Sequence, residues 1–467
     1  MSFLPPLPIP ALVVTSLAVA GIVLPALALV VAATPYIVAA VVALFRRDPG
    51  GPFVPHRVAL VSRSMAVGSL IVGVLAMVAV QPRYFRPGPA AVPAQAESGD
   101  PALRTSIALD LGARIDSLPC AGVVVGVVQP TGNQVFGFGR KSVHGDAPPD
   151  GETVFEIGGM TQVFTATLFA RMVEKGIVRM DQPIQALVPD TVSVPTRQGH
   201  AIELWHLATW SSGLPRLAKN PASPIFDLFP PYSRVGPPRS TRWLYDLLSS
   251  LEIEHAPGTH VDDSDLGMGL LGHVLGRVSK TDYETLLQRE LCGPLGLRDT
   301  RVRLTPPMQG RLAEGMRMGY GSYRGWYVAS PAYRWPRGAI PGAGDLCSTA
   351  NDLLTLLRAH LAGFPLASAL AETRRPHLRV EGRPEIGLGW FIEGVPEGAP
   401  IVWQHGTSGA CRSYMAFAEG RGAGVVVLAN VPIDVDLLGK RILHRLISPS
   451  ALQGDSTHVA QVPGDSS

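Results

Sequence analysis

The stretch from Phe155 to Gly176, FEIGGMTQVFTATLFARMVEKG, joins two patterns that cannot belong to one element. Ile157 closes a short extended run, and beyond the glycine pair Phe164, Leu168, Phe169 and Met172 recur at the spacing of one helical face. Gly158-Gly159 therefore marks a tight strand-to-helix turn. Gly159 is expected to take positive φ there, and Thr161 to stand in the first turn of the helix.

The rest of the chain divides by composition. Of 467 residues, 46% are hydrophobic, and the mean hydropathy of +0.21 is high because the apolar residues concentrate at the N-terminus. Residues 1–45 carry no charged side chain, and the run from Ala11 to Phe45 is long enough to span a bilayer. It lacks the basic start and the short core of a signal peptide, so it is read as retained. Pro25 and Pro35 interrupt it, which suits one kinked span or a tight hairpin, and Ser64 to Val80 forms a further uncharged span. Between them Arg46, Arg47, Arg57 and Arg63 face a single Asp48, a basic loop of the kind that stays cytoplasmic. The expectation is a multi-pass cell-membrane protein: residues 1–80 anchor it in the lipid bilayer as two or three helices, and the globular part is extracytoplasmic. Pro- and Ala-rich residues 81–99 read as a linker, residues 100–448 as the folded domain, and residues 449–467 as a disordered tail.

The net charge of +3 is spread out, and no basic run interleaved with aromatics points to nucleic acid. Cys120, Cys292, Cys347 and Cys411 are far apart and fit no metal spacing; buried free thiols are the expected state. No zinc motif such as H-E-x-x-H occurs, and neither a metal nor another cofactor is called for.

Along the domain, a helix is expected over Pro101 to Ser117. A hairpin follows, with strands Gly122 to Gln129 and Gln134 to Gly139 around Pro130-Thr131-Gly132-Asn133. Ile202 to Pro215 reads as a helix and a Ser-Gly-Leu-Pro turn, with His206 structural, and Tyr283 to Thr300 as a helix ending in a turn. Gly342 to Leu354 carries a glycine turn and a helix capped by Ser348 or Thr349; Gly387-Leu388-Gly389-Trp390, a strand Gly424 to Asn430 and an amphipathic helix Leu437 to Leu446 complete the order.

In this order, over roughly residues 100–448, the chain resembles the serine β-lactamase and penicillin-binding-protein family. The resemblance implies an α+β fold: an antiparallel sheet flanked by helices, a helical subdomain, and a pocket between them, here preceded by N-terminal transmembrane helices. The family carries Ser-x-x-Lys at the start of its central helix, Tyr-x-Asn on a loop of the helical subdomain, and Lys-Thr-Gly or His-x-Gly on the strand lining the pocket. Gapless alignment puts Gly159 at the serine and Gln162 at the lysine, Asp263 at the tyrosine and Asp265 at the asparagine around Ser264, and Gln404-His405-Gly406 on the third motif. Shifting the last by one gap would put His405 at the cationic position.

A glycine has no nucleophile and an amide is no general base, so acyl-enzyme chemistry of the family type cannot run from Gly159 and Gln162. Three readings follow. The first rebuilds the pocket for non-covalent acid/base work, with Asp263, Asp265 and His405 catalytic and Gly159, Gln162, Ser264, Gln404, Gly406 and Ser408 binding the substrate. One residue apart on an extended loop, the two aspartates would face the same side, and neighbouring carboxylates split into an acid and a base. Such a site would cyclise or isomerise a bulky hydrophobic small molecule, as in natural-product tailoring. The second reading is a pseudoenzyme that binds a ligand, a peptidoglycan fragment or an unidentified protein partner. The third is a hydrolase or esterase whose nucleophile has moved to Ser264, Thr161 or Ser408. Against these stand blander roles: paired aspartates are common turn formers, His405 is a strand residue, and Gln162 is able to hydrogen-bond across an emptied pocket.

Overall fold

The computed structural model describes residues 100–112, 115, 121–142, 145, 147–216, 240–318, 326–329, 338–394, 400–408 and 411–448. The predicted spans, linker and tail, together with Cys120, lie outside the described residues. The helices are α1 Pro101–Leu111, α2 Thr161–Glu174, α3 Leu204–Ala208, α4 Thr241–Ser250, α5 Asp265–Val278, α6 Tyr283–Leu287, α7 Gly293–Leu295, α8 Pro306–Gly310, α9 Ala350–Ala362, α10 Ala367–Thr373 and α11 Val435–Ile447. The strands are β1 Gly122–Gln129, β2 Gly132–Gly139, β3 Phe155–Glu156, β4 Gly315–Met318, β5 Trp326–Ala329, β6 Cys347–Ser348, β7 Glu385–Ile386, β8 Phe391–Glu393, β9 Ile401–Thr407, β10 Arg412–Ala418 and β11 Ala423–Ala429. No single helix among the described residues is long and apolar enough to cross a membrane.

Seven strands form one antiparallel sheet in the order β2-β1-β11-β10-β9-β8-β7. Its central strands are covered on both sides, which is why β1 and β11 are runs of valine rather than an alternation. Val124, Val426, Leu428, Met415 and Phe417 face the cluster that contains α2, α5 and α9. Val123, Val125, Val425, Val427 and Tyr414 face α1 and α11. Each such side chain contributes about 2 kcal/mol of burial. The face under α11 closes because Gly439 has no side chain: a methyl there would lie 2.2 Å from Cδ1 of Tyr414. Asp110 on α1 holds Arg441 and Arg445 on α11.

Helix α2 is buried on nearly every side, and its β-branched residues stay helical because packing outweighs propensity. Thr165 shows the tie to its surroundings, with Oγ1 2.8 Å from both the Gly342 carbonyl and the Tyr283 hydroxyl. The helix expected to reach Ser117 ends at Leu111, where Gly112 turns the chain at φ +46°. Elsewhere the expected elements appear within a few residues, and Thr349, rather than Ser348, caps α9 by accepting from the Asp352 N–H. Cys292, Cys347 and Cys411 are buried thiols outside any disulfide.

Candidate functional site

The chain enters α2 through a 3₁₀ turn at Gly158–Met160 pressed against β9. It is Gly158, at φ +50°, that takes the left-handed backbone, and a methyl on it would meet the Thr407 carbonyl at 2.5 Å. Gly159 is not among the positive-φ glycines, which corrects the expectation; its small size matters because a Cβ there would lie 3.0 Å from the His405 carbonyl oxygen. Beyond the turn, Thr161 Oγ1 accepts from the Leu346 N–H at 3.2 Å and is fully buried.

Gln162, one turn into α2, is 2% exposed and does hydrogen-bond across the space in front of the helix. Its Nε2 donates to Asp265 Oδ1 at 3.1 Å and to the Ala343 carbonyl at 3.3 Å, and its Oε1 accepts from the Trp210 indole N–H at 2.6 Å. The amide is thus satisfied on both sides. Trp210 sits at φ +55°, a conformation that costs a bulky residue on the order of 1 kcal/mol or more. It is nevertheless buried, its ring stacks on Phe391 at 4.9 Å, and its carbonyl accepts from the Asp262 N–H at 2.8 Å.

The two aspartates go to different partners rather than sharing a site, because Ser264 between them is the N-cap of α5. Ser264 Oγ accepts from the Gly267 N–H at 2.9 Å and donates to the Pro215 carbonyl at 2.8 Å, so the chain turns into helix there. Asp265 becomes the first helical residue and faces Gln162, whereas Asp263 is exposed and pairs with Arg216 at 3.4 Å.

On β9 the residues alternate between faces. Gln404 is buried, donating to the Gly389 carbonyl at 3.1 Å and accepting from the His405 N–H at 2.8 Å. Gly406 allows the close approach of the α2 turn, since a methyl on it would lie 2.0 Å from the Ile157 carbonyl oxygen. Ser408 Oγ donates to Glu156. His405 points the other way, toward the start of α11, where its Nδ1 lies 2.5 Å from Asp436 Oδ2; its side chain is 51% exposed. The bond to Asp436 raises the imidazole pKa above the ordinary histidine value; burial opposes this, Asp263 adds to it and Arg216 counters it. Trp403 lies beside it at 5.7 Å, stacked on Phe391 at 4.6 Å and covered by the Lys440 ammonium at 4.8 Å.

Two groups emerge. Gln162 and Asp265 meet at the head of α2, while His405, on the α11 side of β9, lies within electrostatic range of Asp263 at an exposed mouth beside the strand. Sequence reasoning missed Asp436, Arg216 and Trp210. The first two carry only the signal of a charge near a helix start and after a turn; Trp210 stands just before the Ser-Gly-Leu-Pro turn. Among the described residues no group of three or more His, Cys, Asp or Glu is arranged to hold a metal ion. A groove of about 620 Å³, lined by Val173, Met180, Glu372 and His377 among others, lies at the far end of α2 and involves none of the predicted site residues.

The sequence matches the Beta-lactamase family over residues 112–447. D-alanyl-D-alanine-carboxypeptidase/endopeptidase AmpH of Escherichia coli K12 is 28% identical over 318 residues, covering 64% of this chain and 77% of that protein. A solved β-lactamase/D-alanine carboxypeptidase of Yersinia pestis superposes with a TM-score of 0.60 at 22% identity, covering 75% of this chain and 100% of that one. For the octameric penicillin-binding protein homologue of Pyrococcus abyssi the TM-score is 0.63 at 21% identity, with 74% and 76% covered. Those two likenesses carry the α+β fold of an antiparallel sheet flanked by helices. With its family match spanning well over half of its length, this chain belongs to the Beta-lactamase family.

Proposed function

We propose that this protein has lost serine acylation and performs non-covalent acid/base chemistry at the exposed mouth beside β9, where His405 meets the start of α11. In this reading Gly159 and Gln162 stand where the family keeps its serine and lysine. The observation that carries it is the His405–Asp436 pair, 2.5 Å apart, with the imidazole half exposed beside Asp263 and Arg216. A carboxylate on one ring nitrogen orients the imidazole and raises its basicity, leaving the other nitrogen to give or take a proton. Asp263 adds a negative charge within range of that ring, so cationic character at the mouth is supported from two sides. Asp265 serves instead to hold Gln162. The substrate is a bulky hydrophobic small molecule that is cyclised or isomerised, with Trp403 and Phe391 as the apolar surface next to His405. The uncharged N-terminal residues would tether the domain to a membrane, on its outer side, where such a molecule partitions.

A displaced nucleophile is disfavoured by the bonds of the nearby hydroxyls. Ser264 is a helix cap, Thr161 accepts a backbone N–H, and Ser408 is engaged by Glu156. A ligand-binding protein without turnover is the second reading, favoured by the saturated Gln162 amide, which resembles a packed core more than a reaction site. Labelling the full-length protein with a fluorescent penicillin and a fluorophosphonate, read by intact mass, tests the proposal: no adduct is expected. An adduct mapped to Ser264, Ser408 or Thr161 would overturn it. Once a ligand is identified, His405→Gln separates the first two readings, abolishing turnover in one and leaving binding in the other.

A further inference from the structure

Four described non-glycine residues have positive φ: Gln198, Trp210, Lys280 and Leu366. Gln198 and Lys280 are exposed and Leu366 is partly exposed, all positions where a turn accommodates them. Trp210 alone is buried, at 2% exposure. A bulky side chain stays in the left-handed region only when its surroundings over-determine it. Three contacts do so here: the indole N–H on Gln162 Oε1 at 2.6 Å, the ring on Phe391 at 4.9 Å, and the carbonyl accepting from the Asp262 N–H at 2.8 Å.

These contacts reach different parts of the site. Gln162 belongs to the head of α2 and also holds Asp265; Phe391 stacks on Trp403, which meets the His405 ring edge-on; Asp262 adjoins Asp263. In the observed state the Gln162 amide, held by the Trp210 indole, engages Asp265 in front of α2.

We infer that Trp210 is a positioning residue acting as a latch: the strained, bonded conformation keeps the inner pocket closed, and its release frees the Asp262–Asp263 loop and uncovers Gln162 and Asp265. The strain favours release and the three contacts oppose it, so the element has two states with a modest gap between them. Opening makes room next to Phe391 for a planar apolar group, and leaves Gln162 Oε1 ready for an N–H or O–H donor at the edge of that group. The occupant therefore belongs to the class of flat ligands with a donor at the rim. This part rests on the proposal that the pocket takes a small molecule; the latch itself does not.

The test is hydrogen exchange of the Asp262 amide in the full-length protein, with the Val426 amide in the centre of β11 as the reference, for wild type, Gln162→Met, Trp210→Phe and the double variant. Each single variant removes one partner of the same bond. Opening at Asp262 is expected to rise about tenfold in each, to rise no further in the double variant, and to leave Val426 unchanged relative to global stability. Unchanged exchange at Asp262, or single effects that multiply in the double variant, would overturn the latch. Should the variants fail to fold, the wild type decides. Exchange at Asp262 through a local opening with little denaturant dependence supports the latch; exchange only through global unfolding, with the same dependence as Val426, refutes it. Failure of the small-molecule proposal would leave these results untouched and would appear instead as covalent labelling.

Discussion

The head of α2 and the mouth at β9 lie on the two sides of one close backbone contact, yet they are built on opposite principles. At the head of α2 a buried neutral amide is satisfied by a buried indole, a buried carbonyl and a partly buried carboxylate. At the mouth, charged pairs stand half exposed: His405 with Asp436, and Asp263 with Arg216. Removing one partner of a buried, saturated network strands a polar group away from water, whereas exposed ion pairs contribute little to stability and remain free to exchange protons. Under the proposed function, stability belongs to the first region and chemistry to the second, and the contrast can be broken by substitution on either side.

The largest effect is expected at the contact between the two. Gly158→Ala adds a methyl 2.5 Å from the Thr407 carbonyl at a φ of +50°, so the turn must back away from β9. A loss of about 3 kcal/mol is expected in chemical denaturation, from overpacking and left-handed strain together. A loss below about 1 kcal/mol would mean that the turn is not pressed on the strand. Next comes Gln162→Met, which keeps the volume but strands the buried Trp210 N–H; about 2 kcal/mol is expected. A neutral result would show that the network is not what stabilises the head of α2.

Most of the scaffold was legible from periodicity and punctuation, because hairpin 122–139, α2 and α11 announce themselves by local pattern. The site was legible only in part. Asp263 and Asp265 look like a carboxylate pair until Ser264 caps α5 and sends them to separate partners, a choice made by one hydroxyl and a backbone N–H. The glycine needing positive φ is the first of the pair, which spacing alone does not distinguish. Asp436 lies 31 residues beyond His405, and Trp210 lies 48 beyond Gln162, so both bonds exist only once the sheet and helices have assembled.

The smallest expected effect lies at the mouth and depends on pH. Because the folded protein holds the His405 pKa above its unfolded value, the pair with Asp436 contributes stability that is complete below that unfolded value and fades as pH rises through the folded one. His405→Gln should therefore destabilise most in mildly acidic solution and least in alkaline solution. The difference should stay at or below about 1 kcal/mol because the ring is half exposed to solvent. Thermal denaturation across that range checks the sign, and a gap that widens with rising pH would reverse it.

The most direct measurement is the proton titration of the His405 ring, followed by NMR in wild type and in Asp436→Asn. If the mouth is an acid/base centre built on the Asp436 carboxylate, the wild-type ring titrates above the ordinary histidine range and falls back when the carboxylate becomes an amide. An unshifted titration, the same in both proteins, would contradict it and leave the pocket as a binding site without a proton to move.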